Sequence, residues 1–578
     1  MSTERVLESV IVADCGAGTT RAILVEAIDD VYRFIASAER PSTFEPPIDD
    51  LSVGVREALG ALELATARRF LERNRPIMPQ EGSGNGADAL LTTMVSMPPL
   101  RLAILAIGGG PLVDALLDVA RRTPTTVLPT LAIDESGRVD GHGRDTVATI
   151  ARHHPSLLLL VAGGKAERAL PKLLSLASEV VAAVAAQGAE DQPAVLFIGE
   201  ERWHGDVTAS FGSSAEIGLI DPAGADPGAL AGIVEQELLD FANRRAAAGQ
   251  PGFEEVSAWS AAPPLARSRA IDLVNRFMSI QFGCEVLTVE LDEGATFCWA
   301  RGRENCALSE PALDLALGAG NLLTTLSPTD VLRWLPFTIS EDELVAWILN
   351  RVVRPFTIPT TGRDRLIEAA IARELLRTGV AELRGAGIGE VRPELIVGGS
   401  FFTRWPDPAA AMIALIDGVQ PQAAGGVTQF ALDRDGLLPA IGALGTMEPG
   451  RAAEVFEHDG LIDLGACVTV AGAPGAEIRG ELEYPGGKTQ PFTLTAGSLL
   501  RLPLGLGERA TRLKIEPGGQ GSVGRGPAGA ALLLEGDDAP HGGLVGLLID
   551  ARGRPVHLPG DEQERIARLA AWMDALAG

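Results

Sequence analysis

The sequence predicts an α/β fold, and the order of its apolar and glycine-rich segments supports that prediction. Residues 10–13 and 22–25 are branched apolar runs with the length of buried strands. From residue 100 onward a strand, a glycine turn and a helix follow one another, at 102–121 and again at 157–187. This alternation is typical of a parallel sheet with helices on both faces. Beyond about residue 461 the segments become short strands separated by Gly and Pro, which predicts a small β-rich domain.

The other elements follow in order along the chain. A third strand at 31–39 and a helical pattern at 54–71 continue the first two strands, so the chain begins as a meander that leads into a helix. Later segments with the same kinds of signal are a strand pair at 286–291 and 296–300, helices at 341–351, 364–383 and 408–417, a strand at 395–397 that ends in paired glycines, and a terminal amphipathic helix at 562–576.

Length and charge narrow the class of protein. A chain of 578 residues predicts roughly three or four domains. Acidic residues outnumber basic ones, 76 to 49, and the net charge of -27 disfavours nucleic acid and anionic membranes as partners. The five cysteines lack the paired spacing of a zinc site or a disulfide framework. Without a signal-peptide pattern or an apolar run of about 20 residues, the sequence predicts a cytoplasmic protein.

The first hairpin carries the strongest chemical signal. Gly16 and Gly18 form a turn without side chains that would obstruct a ligand, and Thr19 and Thr20 follow with hydroxyl groups. Backbone amides and hydroxyls in such a turn suit a phosphate, and Asp14 suits the water shell of a Mg²⁺ ion. The alternative is an ordinary hairpin with Gly and Thr in its turn.

Several longer motifs resemble a known family. They are VADCGAGTTRAIL at 12–24, PSLLLLVAGGKAERAL at 155–170, RWLPFTISEDELVAWI at 333–348, RPFTIPTT at 354–361, ELIVGGSFFTRWPDP at 394–408 and ALDRDGLLPAIGALG at 431–445. Together they resemble the sugar kinase, heat-shock protein and actin superfamily (the ASKHA superfamily) and, more narrowly, the MutL/GlmL family. Members of that family are accessory proteins named for their association with adenosylcobalamin-dependent glutamate mutase.

The resemblance implies an actin-like two-lobed ATPase fold, ribonuclease H-like, with an inserted parallel α/β segment and a small C-terminal β-rich domain. The implied domains are the first part of lobe I at 1–95, the α/β segment at 96–250, lobe II with an adenosine turn at 251–455, and the β-rich domain with a terminal helix at 456–578.

The same resemblance implies ATP and Mg²⁺ as cofactors. Asp14, Gly16, Gly18, Thr19 and Thr20 match the family's first phosphate hairpin, and Arg21 stands where the family usually has Lys. The adenosine turn matches Gly398, Gly399 and Ser400, where missing side chains would let the base and ribose lie against the backbone.

The second phosphate hairpin departs from the family pattern. Its leading Asp is Glu290, its glycine pair is Asp292 and Glu293, and only Gly294 and Thr296 recover part of the motif. A carboxylate about 4 Å from a phosphate would oppose it by about 4 kcal/mol at an effective dielectric near 20. Loss of hydrolysis is therefore expected. A Mg²⁺ ion that bridges Asp292 or Glu293 to phosphate would rescue the site, and a hairpin tip that only faces water is an equal alternative.

Two classes of function follow. The first is a nucleotide-binding accessory protein, of the reactivase or chaperone kind, that acts on a partner such as a coenzyme B12-dependent mutase and has at most weak ATPase activity. The second is a catalytically degenerate scaffold, a pseudo-ATPase that keeps the fold and binds a partner. A small-molecule kinase is a third alternative, with Asp292 as the candidate base.

Overall fold

The structure is a computed structural model, and it describes residues 7–44, 47–95, 100–108, 110–122, 125–139, 143–163, 166–187, 192–212, 214–222, 227–310, 314–355, 357–388 and 390–577. The chain forms two compact units. Unit 1 comprises Met1–Met97 together with Gln250–Gly578, and unit 2 is Pro98–Gly249. The four domain bounds expected from the sequence stay predictions.

The elements of the amino-terminal part of unit 1 are β1 (Ser9–Cys15), β2 (Thr19–Ile28), β3 (Val31–Pro41), α1 (Leu51–Thr66), β4 (Leu71–Glu72), β5 (Arg75–Pro76) and β6 (Ala89–Met94). Those of unit 2 are β7 (Leu100–Ile107), α2 (Pro111–Arg122), β8 (Thr125–Val127), β9 (Leu131–Ile133), α3 (Gly143–Arg152), β10 (Leu157–Ala162), α4 (Leu170–Ala186), β11 (Ala194–Ile198), α5 (His204–Phe211), β12 (Ile217–Ile220) and α6 (Pro227–Gly249).

The remainder of unit 1 begins with α7 (Phe253–Trp259), β13 (Leu265–Ala266), α8 (Arg267–Phe282), β14 (Glu285–Glu290), β15 (Ala295–Arg301), β16 (Glu304–Glu310), α9 (Leu322–Thr325), α10 (Pro328–Leu332), α11 (Glu341–Val353) and α12 (Gly362–Leu383). It continues with β17 (Leu395–Gly398), α13 (Ser400–Thr403), α14 (Pro408–Val419), β18 (Val427–Leu432), α15 (Leu438–Gly445) and α16 (Pro449–Val455). The carboxy-terminal elements are β19 (Ile462–Ala471), β20 (Glu477–Glu483), β21 (Thr489–Thr495), β22 (Leu499–Leu502), β23 (Arg512–Glu516), β24 (Ser522–Val523), β25 (Leu532–Glu535), β26 (Gly546–Asp550) and α17 (Glu562–Ala577).

Unit 1 repeats one strand arrangement. Its first sheet has the order β13-β6-β1-β2-β3, with β1, β2 and β3 antiparallel and with β6 and β13 parallel to β1. Its second sheet begins with β18-β17-β14-β15-β16, in which the same positions have the same directions. This order, present twice, is the ribonuclease H-like topology of an actin-like fold, so the predicted fold class is confirmed.

Helices α8 and α15 lie between the two sheets and share one core with them. Ile271 of α8 and Leu438 of α15 belong to the same buried cluster as Val10 of the first sheet and Val286 of the second. Because apolar side chains from both sheets are removed from water by the same two helices, the loops at the ends of β1 and β14 are held in a fixed relation.

The carboxy-terminal strands divide between two sheets. Strands β19, β26 and β22 extend the second sheet beyond β18, whereas β21, β20, β23 and β25 form a sheet of their own. The two groups share a buried cluster that includes Val468 of β19 and Leu513 of β23. The predicted terminal amphipathic helix is confirmed as α17, whose Trp572 is buried.

Unit 2 is a parallel sheet in the order β12-β11-β10-β7-β8, with β9 also parallel to β7. If β8 and β9, which both pair with β7, are counted as one position, this is the 2-1-3-4-5 order of doubly wound proteins. Buried clusters cover both faces of the sheet, one with helices α3 and α4 and the other with α2 and α6. The parallel sheet with helices on both faces, predicted from the glycine turns, is therefore confirmed.

One predicted element ends earlier than its pattern suggested. The helical periodicity at 54–71 corresponds to α1, which begins at Leu51 and ends when Ala67 adopts a left-handed conformation with φ of 55°. Leu71 then pairs with Pro76 in a short hairpin. Among the described residues, no helix is both long and apolar enough to cross a membrane.

Candidate functional site

The loop of the first hairpin already holds an acidic side chain. Gly18 and Thr19 donate their backbone N–H groups to Oε1 of Glu293, at 2.7 and 3.0 Å. Glu293 lies at the tip of the second hairpin, between β14 and β15, and its φ of 57° is a left-handed conformation that few non-glycine residues adopt. The two predicted phosphate loops therefore face each other, and a carboxylate of one fills the amide donors of the other.

Gly16 completes this arrangement by leaving space. A Cβ atom at Gly16 would overlap the carboxylate of Glu293, so the absent side chain accommodates an acidic group of the same chain. The sequence predicts a phosphate ligand in this space. The anion in contact with the turn is the Glu293 carboxylate.

Arg267, the first residue of α8, neutralises this acidic site. Its Nη1 donates to Oε2 of Glu293 at 2.9 Å, and its Nε lies 3.6 Å from Oδ2 of Asp14. Asp14 also accepts a hydrogen bond from the Thr93 hydroxyl at 2.7 Å. The side chains of Arg267, Asp14 and Glu293 are each at most 10 % exposed. A buried cation thus bridges two carboxylates that would otherwise repel each other at low dielectric.

Burial changes the ionisation of this pair. Desolvation raises the pKa of Glu293 to about 7, Arg267 opposes that rise, and Asp292 and Asp14 add to it. For Arg267, burial favours the neutral guanidine, but the carboxylates of Asp14 and Glu293 outweigh it and raise the pKa. Arg267 therefore stays charged, and Glu293 loses its proton at a higher pH than an exposed glutamate does.

The carboxylate of Glu290 binds the predicted adenosine turn. Its Oε2 accepts from the backbone N–H and the hydroxyl of Ser400, at 2.8 and 3.0 Å, and its Oε1 accepts from the backbone N–H of Phe401 at 3.2 Å. The same Oε1 accepts from Leu291 and Asp292. A Cβ at Gly399 would overlap this carboxylate. The predicted adenosine turn of Gly398, Gly399 and Ser400 is therefore joined to the second hairpin by one carboxylate.

The other residues of the second hairpin also have partners within the chain. The N–H of Gly294 donates to Asp314 at 2.7 Å, and Asp314 in turn accepts from two further backbone N–H groups. Asp292 pairs with Arg404 at 3.3 Å. Thr296 lies opposite Glu290 in the β14–β15 ladder and is buried.

Two residues of the first hairpin point to other parts of unit 1. Thr20 is buried, and the space beside its hydroxyl is closed by Gly54 of α1. Arg21 donates to the backbone carbonyl of Gly436 at 3.1 Å and to that of Asp435, in the turn before α15. The structure thus brings together Asp14, Gly16, Gly18 and Thr19 near Glu293, and it places Thr20 and Arg21 on neighbouring elements.

The arrangement does not suit ATP and Mg²⁺ while Glu293 lies in the loop. The amide donors that a phosphate needs are taken, and the guanidinium of Arg267 supplies positive charge beside Asp14, where a metal ion would otherwise balance that carboxylate. Within the described part of the chain, no group of three or more His, Cys, Asp or Glu side chains is arranged to hold a metal ion.

Comparison with known proteins assigns no family and no activity to this chain. No protein-family model matches the sequence, and the search of curated proteins found no match. Among solved structures, the chain is similar to a Ppx/GppA family member from Aquifex aeolicus, with 10% identity over 70% of this chain and 73% of that one and a TM-score of 0.20.

It is also similar to the ethanolamine utilization protein EutJ from Carboxydothermus hydrogenoformans, with 8% identity over 77% of this chain and 90% of that one and a TM-score of 0.26. A third similar structure is xylulose kinase from Bifidobacterium adolescentis, with 12% identity over 79% of this chain and 94% of that one and a TM-score of 0.27. Similarity this low assigns no activity, and the repeated strand order carries the fold assignment.

Arg267 and Asp314 are parts of the site that sequence reasoning missed. Neither belongs to a glycine-rich motif, and Arg267 lies 253 positions after Asp14. The available signal was the alternation of Arg and small residues where α8 begins directly after β13. Since β13 runs parallel to β6 at the edge of the first sheet, the residue that follows it lies at the same end of the sheet as the first hairpin loop.

Proposed function

We propose that this chain is an accessory protein of the MutL/GlmL type, which acts on a partner protein such as a coenzyme B12-dependent mutase without turning over ATP. The motifs at 12–24, 333–348 and 394–408 support the family part of the proposal. The contact between Glu293 and the first hairpin loop supports the absence of turnover.

That contact is the single observation on which the proposal depends most. Two backbone N–H groups and one guanidinium converge on the Glu293 carboxylate, which is the donor set that binds an oxyanion in a phosphate loop. An anion supplied by the chain competes with any dissolved anion at a very high local concentration, because no translational freedom is lost when it binds.

In this proposal the residues of the site hold a shape and perform no chemistry. Glu293 joins the two hairpins, Glu290 joins the second hairpin to α13, and Arg21 joins the first hairpin to the turn before α15. Each of these hydrogen-bonded contacts links two different elements of unit 1. A partner protein would then bind one fixed arrangement of unit 1 instead of an arrangement that changes with nucleotide.

One observation favours a second candidate, a nucleotide-gated accessory protein. Burial raises the pKa of Glu293 to about 7, so its carboxylate is held with little electrostatic gain and a nucleotide with Mg²⁺ would have to displace only a weakly stabilised group. In that case ATP would pull Glu293 out of the loop, and the partner would respond to the change.

A thermal unfolding titration at pH 8 separates the two candidates. With millimolar Mg-ATP we expect no stabilisation of the wild type and a clear increase in Tm for Glu293→Ala, since a ligand at about 100 times its Kd adds roughly 2.7 kcal/mol. Asp292→Ala is the matched control, because it removes a carboxylate from the same hairpin tip without freeing Gly18 and Thr19. Stabilisation of the wild type by Mg-ATP would favour the nucleotide-gated protein.

The partner half of the proposal needs a second measurement. Purified chain is added to a coenzyme B12-dependent mutase, and mutase activity and phosphate release are followed together. We expect the chain to change mutase activity or its decay in the absence of ATP, with phosphate release at background. An effect that requires ATP and releases phosphate in proportion would contradict the proposal, and so would no effect on any mutase tested.

A further inference from the structure

Helix α11 has two apolar faces, one buried in the protein and one largely exposed. Leu344 and Ile348 are buried in the large core of the second sheet. On another face, Leu349 is 48% exposed, Val352 is 45% exposed and Val353 is 77% exposed. Val345 lies on the same face and is partly buried.

The four residues form a continuous stripe, here called the α11 stripe (Val345, Leu349, Val352 and Val353). Their spacing of i, i+4, i+7 and i+8 places them on one side of a helix with 3.6 residues per turn. Single exposed apolar residues need no explanation, but a stripe of this length on a helix is the pattern by which helices bind other helices.

The charges at the two ends of the stripe are opposite. Glu341 and Asp342 are exposed where α11 begins, and Arg354 is exposed directly after it ends. Within the described residues, neither Asp342 nor Arg354 has an ion pair partner. If two copies of α11 lie antiparallel, the acidic start of each helix meets the basic end of the other, and the helix dipoles also oppose each other favourably.

We propose that the α11 stripe is a self-association surface, on which α11 of a second copy packs in an antiparallel, two-fold symmetric contact. A two-fold contact requires a surface that is complementary to itself, and an apolar stripe with one acidic and one basic end meets this requirement in the antiparallel direction only. The inference is independent of the proposed accessory function.

The size of the surface sets the strength of association. Helix α11 has 13 residues, about 20 Å of length, which is less than a standard interface provides. Ile358, 56% exposed in the segment after α11, extends the apolar surface slightly. We therefore expect a dimer that forms with rising concentration and dissociates on dilution.

Sedimentation velocity on the whole chain, from about 1 to 100 µM, tests the proposal. We expect the wild type to shift from monomer to dimer, and we expect Leu349→Asp and Val353→Asp to stay monomeric throughout. Leu64→Asp is the control, because Leu64 is 81% exposed on α1 and lies outside the stripe. Thermal unfolding confirms that each variant is folded.

A charge exchange tests the antiparallel direction. Asp342→Arg and Arg354→Asp should each weaken the dimer several-fold, and the double variant should restore it, because each cross-helix pair is then re-formed with reversed sign. A wild type that is monomeric over the whole range would overturn the proposal. So would a dimer that survives both stripe variants, or single charge variants that leave dimerisation unchanged.

Discussion

The two β-hairpins of unit 1 occupy the same position in a repeated sheet, yet they present opposite chemistry. The loop between β1 and β2 presents backbone N–H groups of Gly18 and Thr19, and the loop between β14 and β15 presents the carboxylate of Glu293. In an ATP-binding protein of this topology both loops would donate to one phosphate chain. Here the backbone N–H groups of one loop bind the carboxylate of the other, so the two loops are in direct contact.

Removing the cation between the hairpins should have the largest effect. In Arg267→Ala, Asp14 and Glu293 remain buried without their shared guanidinium, and we expect the free energy of unfolding to fall by about 3–5 kcal/mol. Urea denaturation measures the loss. Adding Glu293→Gln to Arg267→Ala removes one of the two negative charges and should recover part of it. A loss below about 1 kcal/mol would show that the guanidinium does not hold the hairpins together.

The pH dependence of stability should change next most strongly. Burial raises the pKa of Glu293 from 4.5 to about 7, so the native state binds a proton in this window that the unfolded state has released, and stability falls as pH rises. Glu293→Gln has no such proton, so its stability relative to the wild type should increase by about 2–3 kcal/mol between pH 4.5 and 7.

Asp433 also contributes to the pH dependence of stability, but its contribution cancels when the wild type and Glu293→Gln are compared. Burial raises the pKa of Asp433 to about 6 against the backbone N–H groups of Leu437 and Leu438, and this contribution is present in both proteins. The difference between the pH profiles of the wild type and Glu293→Gln therefore reports Glu293 and the carboxylates of Asp14 and Asp292 that interact with it. A difference that is constant with pH would mean that Glu293 is ionised throughout this range.

Glu290 should matter somewhat less, because it organises one hairpin and α13 only. Glu290→Ala leaves the backbone N–H groups of Ser400 and Phe401 without their acceptor and should cost about 2 kcal/mol in the same urea assay. Glu290→Gln keeps an acceptor oxygen and should cost less than the alanine variant. Equal losses would indicate that the charge, and not the hydrogen bonds, is what the turn requires.

The smallest expected effect comes from Gly16. Gly16→Ala places a methyl group against the Glu293 carboxylate and should cost about 1 kcal/mol. In a Glu293→Ala background the same change should be nearly neutral, since the obstructing group is gone. Gly60→Ala on α1, where a Cβ meets open space, is the control and should stabilise slightly. An equal cost of Gly16→Ala in both backgrounds would place the carboxylate elsewhere.

The sequence predicts the strands and turns of this site better than the contacts between its side chains. Strands β1, β2, β14 and β17 and their glycine turns follow from branched apolar runs that end in Gly, a local signal. The acidic tip of the second hairpin also predicts repulsion of a phosphate chain, with a bridging Mg²⁺ ion or a tip that faces water as the alternatives. Local patterns do not show which partner a side chain contacts. Asp292 and Glu293 are adjacent and similar, but Asp292 pairs with Arg404 and Glu293 binds the first hairpin loop.

Long-range pairing limits the rest of the prediction. Glu293 meets Gly18 across 275 positions, and Glu290 meets Ser400 across 110, so neither contact leaves a trace in nearby sequence. Gly399 was expected to leave space for a nucleoside, whereas the space beside it holds the Glu290 carboxylate. The requirement for glycine was foreseeable from the turn, but the group that imposes it depends on how two sheets pack around α8 and α15.

Hydrogen exchange at Gly18 and Thr19 tests the contact between the hairpins most directly. Gly18 lies in the loop of the first hairpin and Thr19 is the first residue of β2, and both amides would exchange rapidly if they faced water. We expect slow exchange in the wild type at pH 8 and a large acceleration in Glu293→Ala, with no acceleration in Asp292→Ala. Rapid exchange of both amides in the wild type, or the same slow exchange in the wild type and in Glu293→Ala, would contradict the account.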